Sequence, residues 1–189
     1  MNMEYFKWCI EAHSSTNHMY DKYLPYEFHL RMVKNVAEQF IHLLPINLFT
    51  TEEETYKNVW VTIDITHETI YKACGGHDLI EDARKTYNDV KKVLGIPAAE
   101  IIRAVTCDGR GRTRPDRMPE YIYKEICDTP GATFVKLCDR IANVQYGKMM
   151  RSSQFDMYKA ENAHFISQLG YSDSHPLKNM FIYLIHLFV

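Results

Sequence analysis

The segment Gly75-Gly76-His77-Asp78-Leu79-Ile80-Glu81-Asp82 places four metal-binding or acid/base side chains within one short stretch of the chain. If this segment is helical, His77 lies one turn before Glu81, and Asp78 lies one turn before Asp82. An imidazole beside a carboxylate can bind a metal ion, and carboxylates one turn further on can handle the proton of an activated water. The two glycines would leave room for a ligand approaching His77. An exposed acidic helix surface is the alternative interpretation of the same residues.

The composition is that of a soluble globular protein with enough residues for one domain and a sizeable core. Of the 189 residues, 46% are hydrophobic and 24% are charged, which is ordinary for such proteins. The sequence contains no internal repeat and no low-complexity linker, so we predict a single domain over residues 1–189. The formal net charge of −2 argues against nucleic acid as a partner of the whole molecule.

The cysteines and the N-terminus predict a reduced, cytoplasmic protein. The five cysteines are odd in number and no two form a CxxC pair, so neither a disulfide framework nor a cysteine zinc site is indicated. The first residues lack the basic and apolar regions of a signal peptide. The longest apolar run, residues 180–189, is about half the length that crosses a bilayer, so we expect no membrane partner.

Apolar periodicity and capping residues predict an all-α fold, a compact bundle of about eight to ten helices. Apolar side chains recur every three or four positions over residues 27–44, which is helical spacing. Thr86 is placed to cap a short helix that Gly95 ends, and Pro97 suits the first turn of the next helix.

One segment of the sequence has contradictory signals. Residues 59–65 are rich in β-branched side chains and alternate as a strand does. Thr51 and Glu54, however, have the spacing of a capping box at the start of a helix. Because no second strand-like segment offers itself as a partner, and an isolated strand is unstable, we predict a helix over residues 52–73.

Two further positions complete a possible metal site. His29 lies near the start of the helix predicted from residue 27, and Asp139 lies in the segment Lys136-Leu137-Cys138-Asp139-Arg140. Two neutral imidazoles and two carboxylates make a mixed nitrogen and oxygen site, which suits Mn²⁺, Fe²⁺ or Zn²⁺ rather than Ca²⁺. The predicted ligands are therefore His29, His77, Asp78 and Asp139.

The order of these residues resembles that of the HD-domain metal-dependent phosphohydrolases. Within that superfamily the chain is similar to the RelA/SpoT-type (p)ppGpp hydrolase domain and to the stand-alone small alarmone hydrolases. The matching segments are Ala12-His13 followed by Tyr26 and His29, the HDxxED segment His77–Asp82, the capped helix from Thr86 to Gly95, Val105-Thr106 with Asp108, and the KLxDRxxN-like segment Lys136–Asn143.

This resemblance implies a reaction, a cofactor and roles for particular residues. The implied reaction removes pyrophosphate from the ribose 3′ position of (p)ppGpp, giving GDP or GTP, with Mn²⁺ as the ion. Glu81 and Asp82 would orient the attacking water and pass its proton to the leaving oxygen, and His13 would pack against the site or support it. The residues expected to bind the phosphorylated nucleotide are Lys22, Lys136, Arg140 and Asn143.

The departures from the family pattern leave alternatives open. Leu30 replaces a proline of the family, and the segment over residues 20–25 is compressed. A nucleotidase or phosphodiesterase with another nucleotide substrate is one alternative, and a nucleotide-sensing module without turnover is the other. The loop Arg110–Arg117 carries four arginines and would either clamp outer phosphates or remain a solvated or oligomer-contacting loop. The sequence leaves the oligomeric state open.

Overall fold

The computed structural model describes residues 4–45, 47–54, 60–107 and 118–189 of the chain. A single-turn 3₁₀ helix, Ile41–Leu43, extends α2, and the predicted Arg110–Arg117 loop lies outside the described residues. The elements in chain order are α1 (Glu4–Ser14), α2 (Glu27–Phe40), β1 (Asn47–Glu54), β2 (Trp60–Thr66), α3 (His67–Gly76), α4 (Leu79–Asp82), α5 (Tyr87–Leu94), α6 (Ile96–Val105), α7 (Glu120–Asp128), α8 (Ala132–Met150), α9 (Ser153–Gln168) and α10 (Lys178–His186).

Helix α8 is the centre of the bundle. It contacts α2, α3, α6, α7, α9 and α10, and its side chains Phe134, Leu137 and Ile141 are almost completely buried. The prediction of an all-α bundle is confirmed, while the single domain over residues 1–189 stays a prediction. No helix among the described residues is both long and apolar enough to cross a membrane.

The helix predicted over residues 52–73 is wrong in its first part. Strands β1 and β2 form an antiparallel pair in which Thr50 lies opposite Asp64. Helix α3 begins only after Thr66, whose side chain accepts a hydrogen bond from the backbone of Thr69 at 3.4 Å. The alternating pattern of residues 59–65 correctly indicated a strand. The strand that pairs with it is β1, which contains Thr51 and Glu54, the residues that had suggested the start of a helix.

The local signals around helices α5 and α6 are confirmed. The Thr86 side chain accepts a hydrogen bond from the backbone of Asp89, and the Asp89 carboxylate accepts one from the backbone of Thr86 at 2.8 Å. Gly95 has φ +90°, a backbone conformation that favours glycine. Pro97 lies in the first turn of α6. These elements form as predicted because the capping residues and Pro97 affect only the backbone within a few positions of them in the chain.

The glycines before His77 serve core packing instead of opening the site. A Cβ atom on Gly76 would lie 2.8 Å from Leu94 Cδ1 and 2.9 Å from Ile102 Cδ1, and one on Gly75 would lie 3.2 Å from the ring of Phe6. The last turn of α3 can therefore approach α1, α5 and α6 closely. This packing fixes the position of the residues that follow it.

Candidate metal centre

The four predicted ligands come together from three places in the fold. His29 lies in the first turn of α2, and Asp139 lies near the middle of α8. His77 and Asp78 form the turn between α3 and α4, where Asp78 has φ −103° and ψ 7°. The continuous helix expected across this segment is therefore interrupted, and the break turns two consecutive side chains toward the same point.

The ligand atoms lie at distances that suit a shared metal ion. His77 Nε2 is 2.9 Å from Asp78 Oδ2 and 3.6 Å from Asp139 Oδ1. His29 Nε2 is 3.2 Å from His77 Nε2, 3.3 Å from Asp139 Oδ1 and 3.9 Å from Asp78 Oδ2. Ligand atoms about 2.0–2.2 Å from one ion lie roughly 3–3.5 Å from one another. The spacing of His29, His77 and Asp139 is close to this range, so these three side chains could hold an ion together, and Asp78 lies beside them, 2.9 Å from His77.

The backbone fixes which nitrogen of His77 faces the cluster. His77 Nδ1 is 2.9 Å from the carbonyl oxygen of Cys74. Because a carbonyl only accepts hydrogen bonds, Nδ1 carries the proton and Nε2 is directed at the carboxylates. This is the usual arrangement for a metal-binding histidine, in which the second ring nitrogen is held by a backbone or carboxylate group.

The electrostatics of the cluster favour a positive charge at its centre. Burial lowers the pKa of His77, but Asp78 and Asp139 raise it, and the result lies well above the usual value. Burial raises the pKa of Asp139, but hydrogen bonds from His29 and His77 hold it well below its usual range. Two ionised carboxylates in a buried cluster stabilise a cation beside them, which is the chemistry that a divalent metal requires.

Neighbouring polar side chains orient both carboxylates. The Tyr26 hydroxyl donates a hydrogen bond to Asp78 Oδ2. Asn143 Nδ2 donates to Asp139 Oδ1 at 2.6 Å. In the structure, Asn143 therefore contacts Asp139, a proposed metal ligand. The hydrogen bond to the nucleoside that was expected of Asn143 stays a prediction.

The two predicted acid/base residues lie on the solvent side of the site. Glu81 is exposed, and its Oε2 accepts a hydrogen bond from the backbone of Cys107 at 3.2 Å. Asp82 is also exposed, and its Oδ2 lies 3.9 Å from His18 Nε2. Their acid/base roles stay predictions, and their exposure places them where a substrate and water can reach them.

Two of the predicted substrate-binding cations lie beside the cluster. Lys136 Nζ donates to the carbonyl of Val105 at 3.2 Å. Arg140 is almost fully buried, forms an ion pair with Glu161 at 3.3 Å, and lies over the ring of Phe165. Both line a pocket that reaches the cluster, whose other lining residues are Glu81, Cys107, Met118, Asp139 and Tyr158.

Lys22, the third predicted cation, is placed differently. It is exposed on the connection between α1 and α2, and its Nζ lies 5.2 Å from the centre of the Tyr23 ring. Among the residues that the structure describes, no contact links Lys22 to the cluster. Its proposed role in substrate binding therefore depends on reaching a bound ligand through solvent.

Comparison with known proteins finds a similar curated protein and similar solved structures. No family model matches the sequence. The guanosine-3′,5′-bis(diphosphate) 3′-pyrophosphohydrolase of Aquifex aeolicus (strain VF5) is 29% identical over 85 residues, which cover 44% of this chain and only 12% of that relative. A structure described as a metazoan ortholog of SpoT that hydrolyses ppGpp superposes with a TM-score of 0.66 at 16% identity, covering 97% of this chain and 94% of the other.

The predicted resemblance to the ppGpp hydrolases is confirmed. At 16% identity the structural likeness establishes the fold.

Sequence reasoning missed most of the aromatic layer behind the cluster. The rings of His13 and His18 stack on Tyr26 at centroid distances of 4.3 and 3.9 Å, and their Nδ1 atoms are 2.9 Å apart. Burial lowers the pKa of His13 to about 3 and also lowers that of His18. The His13 imidazole is therefore neutral, and both rings hold Tyr26 against Asp78. The position of His13 beside Ala12 in the first helix was a usable signal, whereas no motif pointed to His18.

Proposed function

We propose that this protein is a divalent-metal-dependent hydrolase of a phosphorylated nucleotide, which removes the 3′-pyrophosphate of (p)ppGpp and gives GDP or GTP. The observation that carries the proposal is the convergence of two imidazoles and two carboxylates beside a pocket that contains two cations. The name of the curated relative supplies the substrate class. The residues proposed as metal ligands are His29, His77, Asp78 and Asp139.

The donor set guides the choice of ion. Two imidazole nitrogens with two carboxylate oxygens suit Mn²⁺, Fe²⁺ and Zn²⁺, and we propose Mn²⁺ as the working ion. His29, His77, Asp78 and Asp139 would hold a divalent cation, which would supply the Lewis acidity that makes a water nucleophilic at neutral pH. Each imidazole must be neutral, with the nitrogen that faces the cation unprotonated, so cation binding weakens as the pH falls.

The surrounding side chains perform the remaining steps. Glu81, held by the backbone of Cys107, and Asp82 orient the water and transfer its proton toward the departing ribose 3′ oxygen. Lys136 and Arg140 neutralise phosphate charge in the pocket. Asp139 lines the same pocket, so a phosphate bound by these cations lies next to the proposed metal ligands.

The state of the cysteines fits the proposed cytoplasmic location. None of the five forms a disulfide, and Cys9, Cys74 and Cys138 are buried. Free thiols are stable in a reducing compartment.

The proposal is tested with metal-stripped protein to which Mn²⁺ is restored. The panel contains ppGpp, pppGpp, other 3′-phosphorylated nucleotides including NADPH, and ordinary 5′-nucleotides. We expect pyrophosphate release from ppGpp by the wild type, its loss in Asp139→Ala, and its retention in Asp128→Ala, a matched change at an exposed aspartate on α7. Failure to release pyrophosphate from ppGpp or pppGpp in the presence of Mn²⁺, Fe²⁺ or Zn²⁺ would contradict it.

A second candidate is hydrolysis of a different nucleotide by the same metal chemistry. It is favoured by the position of Lys22, which was predicted to bind the nucleotide of (p)ppGpp. This cation lies over the ring of Tyr23 and is exposed to solvent, away from the cluster. In the panel above, turnover of another nucleotide without turnover of ppGpp would support this candidate.

A further inference from the structure

The two histidines of the candidate centre are held in different ways. A hydrogen bond from Nδ1 to the Cys74 carbonyl fixes the ring of His77. Among the residues that the structure describes, none offers a hydrogen bond to His29 Nδ1, although this atom is buried. Apart from the contacts that His29 Nε2 makes within the cluster, the orientation of this ring depends on the groups that pack against it.

Tyr20 provides that packing. Its ring lies face to face with His29, with centroids 4.8 Å apart and an angle of 13° between the planes. Tyr26 contacts the same imidazole from another side, at 5.1 Å and 61°. A flat ring against one face and a second ring at an angle leave His29 little freedom to rotate away from the cluster.

The same tyrosine also acts on a second ligand through Asn143. The Tyr20 hydroxyl donates to Asn143 Oδ1 at 2.9 Å, and Asn143 Nδ2 donates to Asp139 Oδ1 at 2.6 Å. With its oxygen bound by Tyr20, the amide of Asn143 has its NH₂ group directed at Asp139. The oxygens of Asp139 only accept hydrogen bonds and so require the NH₂ group of Asn143, while the Tyr20 hydroxyl holds the other end of the amide in place.

The backbone around Tyr20 is itself anchored. Its N–H donates to the carbonyl of Leu24 at 2.9 Å, and the neighbouring Asp21 accepts hydrogen bonds from the backbone of Leu24 and from the hydroxyl of Tyr146 on α8. The connection between α1 and α2 is therefore tied to α8, the helix that carries Asp139.

We infer that Tyr20 is a positioning residue for the metal centre, which sets the ring of His29 by stacking and the carboxylate of Asp139 through Asn143. The inference rests on the proposed metal centre but not on the identity of the substrate. Residues that orient metal ligands typically change metal affinity 10- to 100-fold when they are replaced.

The test separates the two actions of Tyr20 by measuring Mn²⁺ affinity in competition with a chelator of known affinity. Tyr20→Phe keeps the stacked ring and removes the hydroxyl, and we expect roughly tenfold weaker Mn²⁺ binding. Tyr20→Leu removes both, and we expect a loss of about 100-fold. The matched control is Tyr183→Phe, because the Tyr183 hydroxyl also binds an amide on α8, that of Gln145 at 2.8 Å.

Thermal unfolding of the metal-free proteins completes the test. We expect Tyr20→Phe and Tyr183→Phe to unfold at similar temperatures, while only the Tyr20 variants lose Mn²⁺ affinity. Wild-type affinity in both Tyr20 variants, or an equal loss in the control, would overturn the inference. Wild-type protein that binds none of Mn²⁺, Fe²⁺ and Zn²⁺ would overturn both the metal centre and this role. Weakened Mn²⁺ binding by a protein that does not hydrolyse ppGpp would remove only the proposed substrate.

Discussion

The two sides of the candidate site differ in how tightly their side chains are held. On the inner side, the side chains of His29 and His77 are only 1% and 3% exposed, and a neighbouring side chain donates a hydrogen bond to each proposed carboxylate ligand. On the outer side, the Asp82 side chain is 42% exposed, and Glu81 is held by a backbone N–H from Cys107. Metal binding requires fixed geometry, which the buried inner side provides. Exchange of water, protons and substrate requires access, which the exposed outer side provides.

The largest expected effect is loss of a ligand on the inner side. In Asp78→Ala, two imidazoles and one carboxylate remain, so we expect Mn²⁺ affinity to fall by more than about 100-fold, beyond the usual cost of changing a supporting residue. Hydrolysis should disappear with it. Circular dichroism should still show a helical protein, because the Asp78 side chain is not part of the apolar core.

The control for this prediction is Asp173→Ala, which removes an aspartate whose side chain is 93% exposed. It should bind Mn²⁺ as the wild type does. If Asp78→Ala retained wild-type Mn²⁺ affinity, Asp78 would not be a ligand, and the proposed centre would be reduced to His29, His77 and Asp139.

A change on the outer side should separate turnover from metal binding. Glu81→Gln keeps the size of the side chain and removes its ability to accept a proton, so we expect turnover to fall about 10²- to 10⁴-fold. Mn²⁺ affinity should be unchanged, because Glu81 contacts the backbone of Cys107. Both quantities are measured on the same preparation, and near-normal turnover would exclude the proton-transfer role.

The sequence predicted which residues gather on the inner side, although their role as metal ligands stays a prediction, and it failed to predict the hairpin. His29, His77, Asp78 and Asp139 were predicted as ligands, and the structure brings all four together. The break that turns both His77 and Asp78 inward was missed, since it depends on α3 packing its glycines against α5 and α6. A pattern of residue types identifies ligands, but the backbone path that joins them is set by tertiary contacts.

The β-hairpin shows the same limit. Thr86 and Gly95 act on their own neighbours and were read correctly, whereas β1 is stabilised by pairing with β2. Its sequence combines the strand-favouring residues Phe49, Thr50 and Thr51 with three glutamates that disfavour strands, so its own strand signal is weak. Tyr20 was missed for a related reason, because its partner Asn143 is 123 positions away in the chain.

The smallest expected effect concerns His13, the buried histidine behind Tyr26. An unfolded histidine takes up a proton near pH 6.5, but burial lowers the pKa of folded His13 to about 3. Between these values the unfolded chain binds more protons, so the free energy of unfolding decreases as the pH falls below 6.5. One pH unit corresponds to about 1.4 kcal/mol, which is the upper limit for the loss between pH 6.5 and 5.5.

Urea unfolding of metal-free protein at these two pH values measures this loss. His13→Phe retains a ring against Tyr26 and cannot be protonated, so its free energy of unfolding should decrease less with acid than that of the wild type. His18→Phe should have a smaller influence, because the His18 side chain is 24% exposed and can be solvated when charged. An equal acid response in the wild type and His13→Phe would mean that His13 is accessible to protons in the folded state. The stack of His13, His18 and Tyr26 behind Asp78 would then be open to solvent, as the outer side of the site is.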